Sequence, residues 1–386
     1  MPHDAATLRG NHVVFLSWRD TGNPEGGGAE RYLAKMAHGL VARGCAVTIF
    51  SAAYAGAADS ETRDGIRYVR RGSKMSVYVR GMQELALGRF GPVDLVVDVQ
   101  NGLPFFSAVV TRLPVVVLVY HVHREQWPIV YPGTTGRVGW WIESRLAPRL
   151  YRRKQYVTIS HATRNELQEL GVRERNIAVV HTGTDPVVEV RADRSPTPTL
   201  CVVGRLVPHK QVEHAIDTAL ELREEFPSLR LHVVGDGWWE SELHAYAERR
   251  GAGDTVVFEG QVSEQRKQEV YEASWLQLLP SIKEGWGLVV GEAAQHGTPT
   301  VAYAAAGGTR ESIRDGVSGV LVDTHEEMVA VTRKLVSDAG LLAQLSTDAR
   351  RFAGGFAWEE AESAFAHVLA SALRGRLVNS QDVPEQ

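Results

Sequence analysis

The hydrophobic positions of the chain form short runs of Val, Ile and Leu that alternate with segments of helical periodicity. In the first half, five such runs predict strands, at 11–18, 46–51, 94–99, 115–120 and 155–160. Between the first two strands, residues 29–44 have apolar side chains at helical spacing, and Gly44 ends the pattern. Continuous apolar strands separated by helices are typical of a parallel sheet that is covered on both faces.

The second half repeats this alternation. Its predicted strands are at 199–204, 229–235, 255–260, 275–280 and 298–303, and the helices between them are at 213–226, 242–251 and 267–274. The stretch SPTPT at 195–199 is a proline-rich junction between the halves. The pattern therefore predicts an α/β protein with two tandem Rossmann-like, doubly wound parallel-sheet domains. Ligands should bind at the carboxyl ends of the strands, in an interdomain cleft.

Composition adds limits on partners and location. The length of 386 residues fits about two domains. The net charge of −4 hides an asymmetry, because residues 1–185 have 23 Lys and Arg against 16 Asp and Glu, whereas the remainder has 19 against 30. Two cysteines exclude a disulfide framework. The apolar run at 114–120 is too short to span a bilayer, and the N-terminus lacks the features of a secretory signal, so a cytoplasmic protein is expected. No nucleic-acid partner is expected.

A glycine-rich loop, GNPEGGGAE at 22–30, follows the first strand and begins the first helix. Consecutive glycines let backbone N–H groups approach a ligand, and a helix N-terminus attracts negative charge. The loop matches neither G-x-G-x-x-G nor G-x-x-x-x-G-K-[ST], since Arg31 stands where the last glycine of the first motif would be. A phosphate or sugar cradle and a tightly packed turn are both compatible with it.

Two loops of the second half carry the charged candidates. Arg205 and Lys210, in GRLVPHK at 204–210, suit a diphosphate, although a solvated basic loop would look the same. In SIKEGWGLVVGEAAQHGTP, Glu284 and Glu292 lie on either side of a helix start whose first amides attract an anion. Glu292 can accept from ribose hydroxyls and Glu284 from hydroxyls beyond the phosphate, which together fit a nucleotide sugar. Acids that stabilise the helix dipole are the structural alternative.

In combination these motifs resemble the family-4 retaining glycosyltransferases of the GT-B fold, over nearly the whole chain. Glu284 and Glu292 match the E-x(7)-E motif of that family, and GRLVPHK matches its diphosphate-binding Arg and Lys. Residues 26–51 look like its N-terminal loop and helix. Thr182 stands where the family usually has the Asn of an Asn-Gly-Val-Asp segment.

The resemblance implies a retaining transfer of a sugar from a nucleotide-diphosphate sugar to an acceptor hydroxyl. It implies that His121, after the strand at 115–120, faces the donor sugar. The expected catalytic residues are His121, Arg205, Lys210 and Glu284. The expected donor-binding residues are Gly27, Gly28, Gly235, Val262, Trp286, Gly287, Leu288, Val289 and Glu292. No cofactor is expected, and no metal either, because D-x-D occurs nowhere in the sequence.

The expected domains are an acceptor-side domain at 1–185, a nucleotide-sugar-binding domain at 186–360, and a C-terminal helix at 361–386 that crosses back to the first domain. Two other functions compete with catalysis of transfer. One is a non-catalytic nucleotide-sugar-binding subunit of the same fold. The other is a phosphorylase, which would need a pyridoxal-bearing lysine that no segment suggests.

The acceptor is expected on the N-terminal domain, where two segments are basic. These are residues 63–80 and a predicted helix at 139–154 with Trp140, Trp141 and four arginines. They suit an anionic or lipid-linked acceptor and weak peripheral contact with a membrane. A helix that packs through its tryptophans with its arginines solvated is the alternative. The sequence leaves open the base, the sugar, the acceptor, the oligomeric state and the role of His123.

Overall fold

The computed structural model describes residues 8–186 and 193–383. Contacts divide the chain into two units, of which unit 1 comprises Met1–Gly183 with Ala357–Gln386 and unit 2 comprises Thr184–Phe356. Each unit has its own β-sheet. Within the described residues, no helix combines the length and the apolar character needed to cross a bilayer.

The sheet of unit 1 has eight strands in the order β3-β4-β2-β1-β5-β6-β7-β8. The strands are β1 (His12–Leu16), β2 (Ala46–Ser51), β3 (Ser60–Arg63), β4 (Ile66–Arg70), β5 (Leu95–Gln100), β6 (Val115–Val119), β7 (Gln155–Thr158) and β8 (Ile177–Val179). All neighbours are parallel except β3 and β4. The five predicted strands correspond to β1, β2, β5, β6 and β7, and their apolar residues form the buried core of the unit.

Short helices cover this sheet. They are α1 (Gly28–Ala42), α2 (Val77–Ala86), α3 (Ser107–Val110), α4 (Gln126–Val130), α5 (Thr134–Trp141), α6 (Ala147–Leu150) and α7 (His161–Glu169), with a 3-10 turn at Glu174–Asn176. In α1 the residues at helical spacing, Leu33, Met36, Ala37 and Leu40, are all buried, as the sequence pattern predicts.

The basic helix predicted at 139–154 is built differently. Helix α5 runs into a π-helical turn, Ile142–Leu146, and then into α6, which ends at Leu150. Pro148 lies within α6 and has no N–H to return to the preceding turn, so regular α-helical bonding is interrupted just before it. We call residues 134–150 the basic helical segment. The predicted helix was therefore too long at its C-terminal end.

Unit 2 has six parallel strands in the order β11-β10-β9-β12-β13-β14. The strands are β9 (Thr199–Val203), β10 (Arg230–Val234), β11 (Val256–Gly260), β12 (Leu276–Leu279), β13 (Thr300–Tyr303) and β14 (Gly319–Val322). The order reverses between β9 and β12, so this is the switch point of a doubly wound sheet. The loops after β9 and β12 carry the charged residues that the sequence singled out.

The helices of unit 2 bury an aliphatic core against this sheet. They are α8 (Val212–Leu222), α9 (Glu240–Arg249), α10 (Glu264–Ala273), α11 (Leu288–Gln295), α12 (Thr309–Ser312), α13 (His325–Ser337) and α14 (Ala339–Ala353). Three 3-10 turns lie at Pro208–Lys210, Gly253–Thr255 and Ala304–Ala306.

The last helix, α15 (Trp358–Leu373), belongs to unit 1 and packs beside α1. The ring of Phe365 stacks on Phe15 with centroids 6.2 Å apart, and Trp358 makes an edge contact with Tyr32 at 6.1 Å. A Cβ atom at Gly39 would come within 2.6 Å of the Glu362 side chain, so a glycine there permits the close approach of the two helices.

Candidate functional site

The two charged loops of unit 2 meet at the switch point of its sheet. The Ile282 N–H group donates to the His209 carbonyl oxygen at 2.9 Å, which ties the 3-10 turn after β9 to the loop after β12. Lys210 Nζ lies 2.5 Å from Glu284 Oε1, and the Glu284 side chain is only 9% exposed. The structure thus pairs two residues that the sequence predicted separately, and the pair is shielded from water on the carboxylate side.

The backbone of Glu284 is held by the loop after β13. Its N–H group donates to Ala306 at 2.8 Å, and its carbonyl oxygen accepts from Gly308 at 3.1 Å. A Cβ atom at Gly308 would lie 2.2 Å from the Gly285 carbonyl oxygen, so only glycine allows the two loops to lie this close. Glu284 is therefore positioned by rigid backbone contacts on both sides.

Helix α11 begins directly after this loop, with Gly287 as its N-cap at φ +90°, a conformation that favours glycine. The first amides of the helix have no intrahelical acceptor, so they can receive an anion. The indole of Trp286 is 5% exposed and packs on Phe356 at 5.3 Å, which leaves the backbone as the part of Trp286 that can face a ligand. Leu288 and Val289, the first two residues of α11, are half-buried.

Glu292 lies in the second turn of α11 and already has partners. Its Oε2 atom is 3.0 Å from Lys267 Nζ and accepts from the Tyr271 hydroxyl at 3.1 Å. Burial, and then the Glu292 charge, raises the pKa of Tyr271 well above its ordinary value, so that hydroxyl stays protonated and donates. Lys267 also pairs with Glu264 at 3.0 Å. The sequence did not predict Lys267 or Tyr271, since neither lies in a recognisable motif.

The loop that carries Arg205 depends on a second close backbone contact. A Cβ atom at Gly235, where φ is +123°, would lie 2.0 Å from the Gly204 carbonyl oxygen. Gly235 therefore permits the ends of β9 and β10 to touch. Arg205 is half-buried, and within residues 8–186 and 193–383 its side chain has no hydrogen-bond or ion-pair partner. Val262 packs together with Val289 on a small core cluster below this surface.

The glycine-rich loop of unit 1 has a carboxylate at its helix start. The Gly27 N–H group donates to Glu30 Oε2 at 2.7 Å, and Gly28 is the first residue of α1. The other oxygen of Glu30 lies 3.4 Å from Arg19 Nε, and both side chains are buried. The Gly27 N–H group at this helix start is therefore already engaged by Glu30.

His121 follows β6 and belongs to a packed arrangement in unit 1. Its Nε2 atom lies 3.1 Å from Oε1 of the buried Gln126 side chain. Its ring is 4.2 Å from the ring of His123, with an angle of 35° between the planes. We call His121 and His123 the histidine pair. The two rings lie against one another, so a change in the orientation of one ring affects the other.

Beneath the pair lies Glu143, which is 1% exposed. Its Oε1 atom is 3.0 Å from His123 Nδ1, and its Oε2 atom accepts from Trp127 Nε1 at 2.6 Å. The sequence presented Glu143 only as an acid within a basic helix, and no spacing rule connects it with His123. Long-range packing places it under the histidine pair.

The outer face of the basic helical segment differs from its inner face. Trp141 is 55% exposed and lines a surface cavity of about 350 Å³ with Arg145, Leu146 and Arg149. Trp140 instead packs on the core of unit 1. In the other basic segment, Arg70 is buried and pairs with Asp20 at 2.7 Å, so it is not available to an acceptor.

Comparisons with known proteins identify the family of this chain. Residues 189–352 match the family model described as Glycosyl transferases group 1, and residues 26–188 match the model described as Glycosyltransferase Family 4. A protein of Xylanimonas cellulosilytica named D-inositol 3-phosphate glycosyltransferase is 28% identical over 95% of this chain and 98% of its own. Against other proteins of that name the chain spans about half of the relative's length or less, 52% of one and 43% of another.

Solved structures show the same fold at low identity. Sucrose-phosphate synthase from Thermosynechococcus elongatus superposes with a TM-score of 0.77 and 18% identity, covering 95% of this chain and 98% of that one. HepE from Anabaena in complex with UDP-glucose superposes with a TM-score of 0.71 and 20% identity, covering 93% and 99%. Likeness at this identity establishes the GT-B fold.

Proposed function

Because the chain belongs to the family-4 glycosyltransferases, whose two models together span residues 26–352, we propose that it is a retaining, metal-independent hexosyltransferase. Its donor is a nucleotide-diphosphate sugar and its acceptor carries a hydroxyl group. The observation that carries the proposal is the Lys210–Glu284 pair beside the start of α11, with Glu292 one turn further along the same helix.

The charges of unit 2 suit a leaving diphosphate. Negative charge grows on the diphosphate as the bond to the sugar breaks, and cations placed beforehand stabilise that charge without reorganisation. Lys210 and Arg205 supply two positive charges, and the first amides of α11 supply partial ones. Glu292 accepts from the ribose, and Glu284 accepts from hydroxyls of the sugar while it holds Lys210 in place.

Transfer then proceeds on one face of the sugar. The bond from the anomeric carbon to the phosphate oxygen breaks, and a bond from the same face to the acceptor oxygen forms. The departing phosphate oxygen takes the acceptor proton, so the configuration is retained. A double displacement would need a carboxylate nucleophile astride the bond. Glu284 does not suit that role because its carboxylate is engaged by Lys210. We assign His121 a role at the reacting centre, as the family resemblance implies.

The acceptor binds to unit 1 and is anionic or lipid-linked, with weak peripheral contact between this unit and a membrane. Support comes from the exposed Trp141, Arg145 and Arg149 of the basic helical segment. The name of the Xylanimonas relative, which includes a phosphorylated cyclitol, also supports an anionic acceptor. Cations near an anionic bilayer contribute about 1 kcal/mol each within a Debye length.

The test begins with a panel of nucleotide sugars, UDP-glucose, ADP-glucose and GDP-mannose among them, screened by thermal shift. The stabilising donor is then incubated with the protein alone and with anionic hydroxyl acceptors, D-inositol 3-phosphate included. We expect release of nucleotide diphosphate and a product whose anomeric proton coupling matches that of the donor. A donor that binds without any release would show a non-catalytic binding subunit, and an inverted product would refute retention.

A further inference from the structure

The histidine pair rests on a buried carboxylate from a helix that is distant in sequence. Two fixed N–H donors point at the Glu143 carboxylate, the His123 backbone N–H group at 3.2 Å and Trp127 Nε1 at 2.6 Å, and His123 Nδ1 lies 3.0 Å from Oε1. A carboxylate that accepts from these donors also accepts from Nδ1 when that nitrogen carries a proton, and we assign the proton there. The contact fixes the plane of the His123 ring.

The other side of the His123 ring is held as well. Its Nε2 atom lies 2.7 Å from the side-chain amide of Asn101, which can donate through its nitrogen or accept through its oxygen. Held at both nitrogens, the ring cannot turn, and His121 packs on its face at 4.2 Å. Gln126 holds the Nε2 atom of His121 at 3.1 Å. The orientation of His121 thus depends on a chain of contacts that begins at Glu143.

The helix that supplies Glu143 is itself closely fitted to this place. A Cβ atom at Gly139, four residues before Glu143, would lie 2.3 Å from the Trp127 ring, and one at Gly102 would lie 2.9 Å from it on another side. Glycines at both positions let the indole reach Glu143. Such fitting indicates that the carboxylate is held in one position.

We infer that Glu143 is a positioning residue, which acts on sugar transfer through His123 by fixing the orientation of His121. The inference rests on the proposed role of His121 at the reacting centre. Because a small misplacement of a group at the reacting centre can cost about 100-fold in rate, we expect Glu143→Gln to lower kcat on the order of 10- to 100-fold. The KM for the donor should change little, because the donor-binding charges lie in unit 2.

The test is a double-mutant cycle on kcat for nucleotide diphosphate release, with His121→Ala, Glu143→Gln and the double variant. If Glu143 acts through His121, Glu143→Gln lowers kcat in the wild-type background and has no further effect in the His121→Ala background. Glu169→Gln is the matched control, since Glu169 is 64% exposed and pairs with a surface arginine, Arg124, and it should leave kcat unchanged.

A second variant and a spectroscopic readout keep the test decisive if Glu143→Gln folds poorly. Trp127→Phe removes one donor to the same carboxylate and retains its charge, so it should give a smaller loss with the same dependence on His121. In ¹⁵N-histidine spectra of the wild-type protein, His123 should show a protonated Nδ1 that is lost or shifted in Glu143→Gln.

The outcomes separate two failures. Equal losses from Glu143→Gln in both backgrounds, or a His123 ring without a protonated Nδ1, would overturn the positioning role and leave the role of His121 intact. Wild-type kcat in His121→Ala would overturn the role of His121 itself, and the inference with it. In both cases the assignments in unit 2 would be unaffected, because they are tested by their own variants, Glu292 by donor binding and Arg205 and Lys210 by turnover.

Discussion

Replacing Glu292 by alanine should weaken donor binding. The side chain is 15% exposed and lies beyond the first turn of α11, so it can reach a diol next to a phosphate that is bound at the helix start. In the free protein its Oε2 atom is engaged by Lys267 and Tyr271, which hold the carboxylate in one orientation. The ribose hydroxyls would therefore meet an acceptor that is already oriented.

The size of the effect follows from the kind of contact that is lost. A hydrogen bond to a charged group contributes about 1.5–3 kcal/mol. This corresponds to an increase in Kd of about 10- to 150-fold. We expect the lower part of that range, because Lys267 and Tyr271 share the carboxylate and reduce its capacity to accept from a ligand.

The same substitution also affects stability, which must be measured first. Tyr271 is fully buried, and the alanine variant leaves its hydroxyl without the Glu292 acceptor. Leaving a buried donor unsatisfied costs about 1–3 kcal/mol of the free energy of unfolding. Donor binding is therefore compared at a temperature where thermal unfolding shows both proteins to be folded.

The matched control is Glu264→Ala. Glu264 is the other carboxylate partner of Lys267, at 3.0 Å, and its side chain is 56% exposed. Removing it eliminates a surface ion pair, which is worth about 0–1 kcal/mol, and leaves Glu292 in place. We expect the Kd of the donor to stay within about twofold of the wild-type value.

Isothermal titration with the stabilising donor and with analogues that lack one ribose hydroxyl completes the assay. The analogues should bind the wild-type protein less tightly than the parent donor, whereas Glu292→Ala should not distinguish them. If Glu292→Ala binds the donor as the wild type does, or if it still distinguishes the deoxy analogues, the ribose role is wrong.

Four further outcomes are expected. Arg205→Ala and Lys210→Ala should each slow turnover on the order of 100-fold with little change in donor Kd, because negative charge on the diphosphate grows as the bond breaks. Wild-type turnover in both variants would refute the assignment. Excess EDTA should leave transfer intact, and a loss that divalent cations restore would contradict metal independence. Burial, and then the charge of His325, lowers the pKa of His214, so the unfolded chain takes up the proton first as the pH falls. The free energy of unfolding should therefore decrease as the pH is lowered from about 7 to about 5. His214→Asn should reduce this pH dependence in thermal melts, and an unchanged dependence would contradict the prediction. The protein should pellet weakly with anionic vesicles at low salt and not with neutral ones, and equal pelleting with both, or with neither, would remove the membrane proposal.

The parallel strands could be predicted from sequence because they are buried on both faces. Their continuous runs of Val, Leu and Ile are typical of buried parallel strands. The predicted strand ends lie within two residues of the observed ones. Strand β8 was missed because its three residues are too few for a pattern, and β14, with four residues, was not predicted either.

The hairpin of β3 and β4 was missed for another reason. Its residues are largely charged, because β3 is an exposed edge strand, and the segment was interpreted as a basic surface. The turn between the strands is Asp64-Gly65, both with positive φ, and this dipeptide is a strong hairpin signal. Attention to the turn residues would have found it.

Some residues of the candidate site could be predicted from the sequence and others could not. Residues in loops after strands, such as Lys210 and Glu284, could be identified from sequence, because the carboxyl ends of parallel strands converge at one edge of the sheet. Partners supplied by distant helices, such as Tyr271 and Glu143, could not, since their positions depend on packing rather than on a local motif. Arg70 is a further example, because the sequence counted it as part of a basic surface, whereas packing buries it beside Asp20.

The π-helical turn at Ile142–Leu146 makes the orientation of this helix sensitive to the number of residues in it. Such a turn holds one residue more than the α-helix on either side of it, and one residue corresponds to about 100° of rotation. Gly139 and Glu143 face the interior before and within the turn, and Pro148 is buried after it. A chain shortened by one residue here would rotate one of these faces towards solvent. Relatives with a similar sequence in this segment but one residue fewer should therefore differ in the orientation of this helix. A sequence alignment must place a gap at this point to compare them.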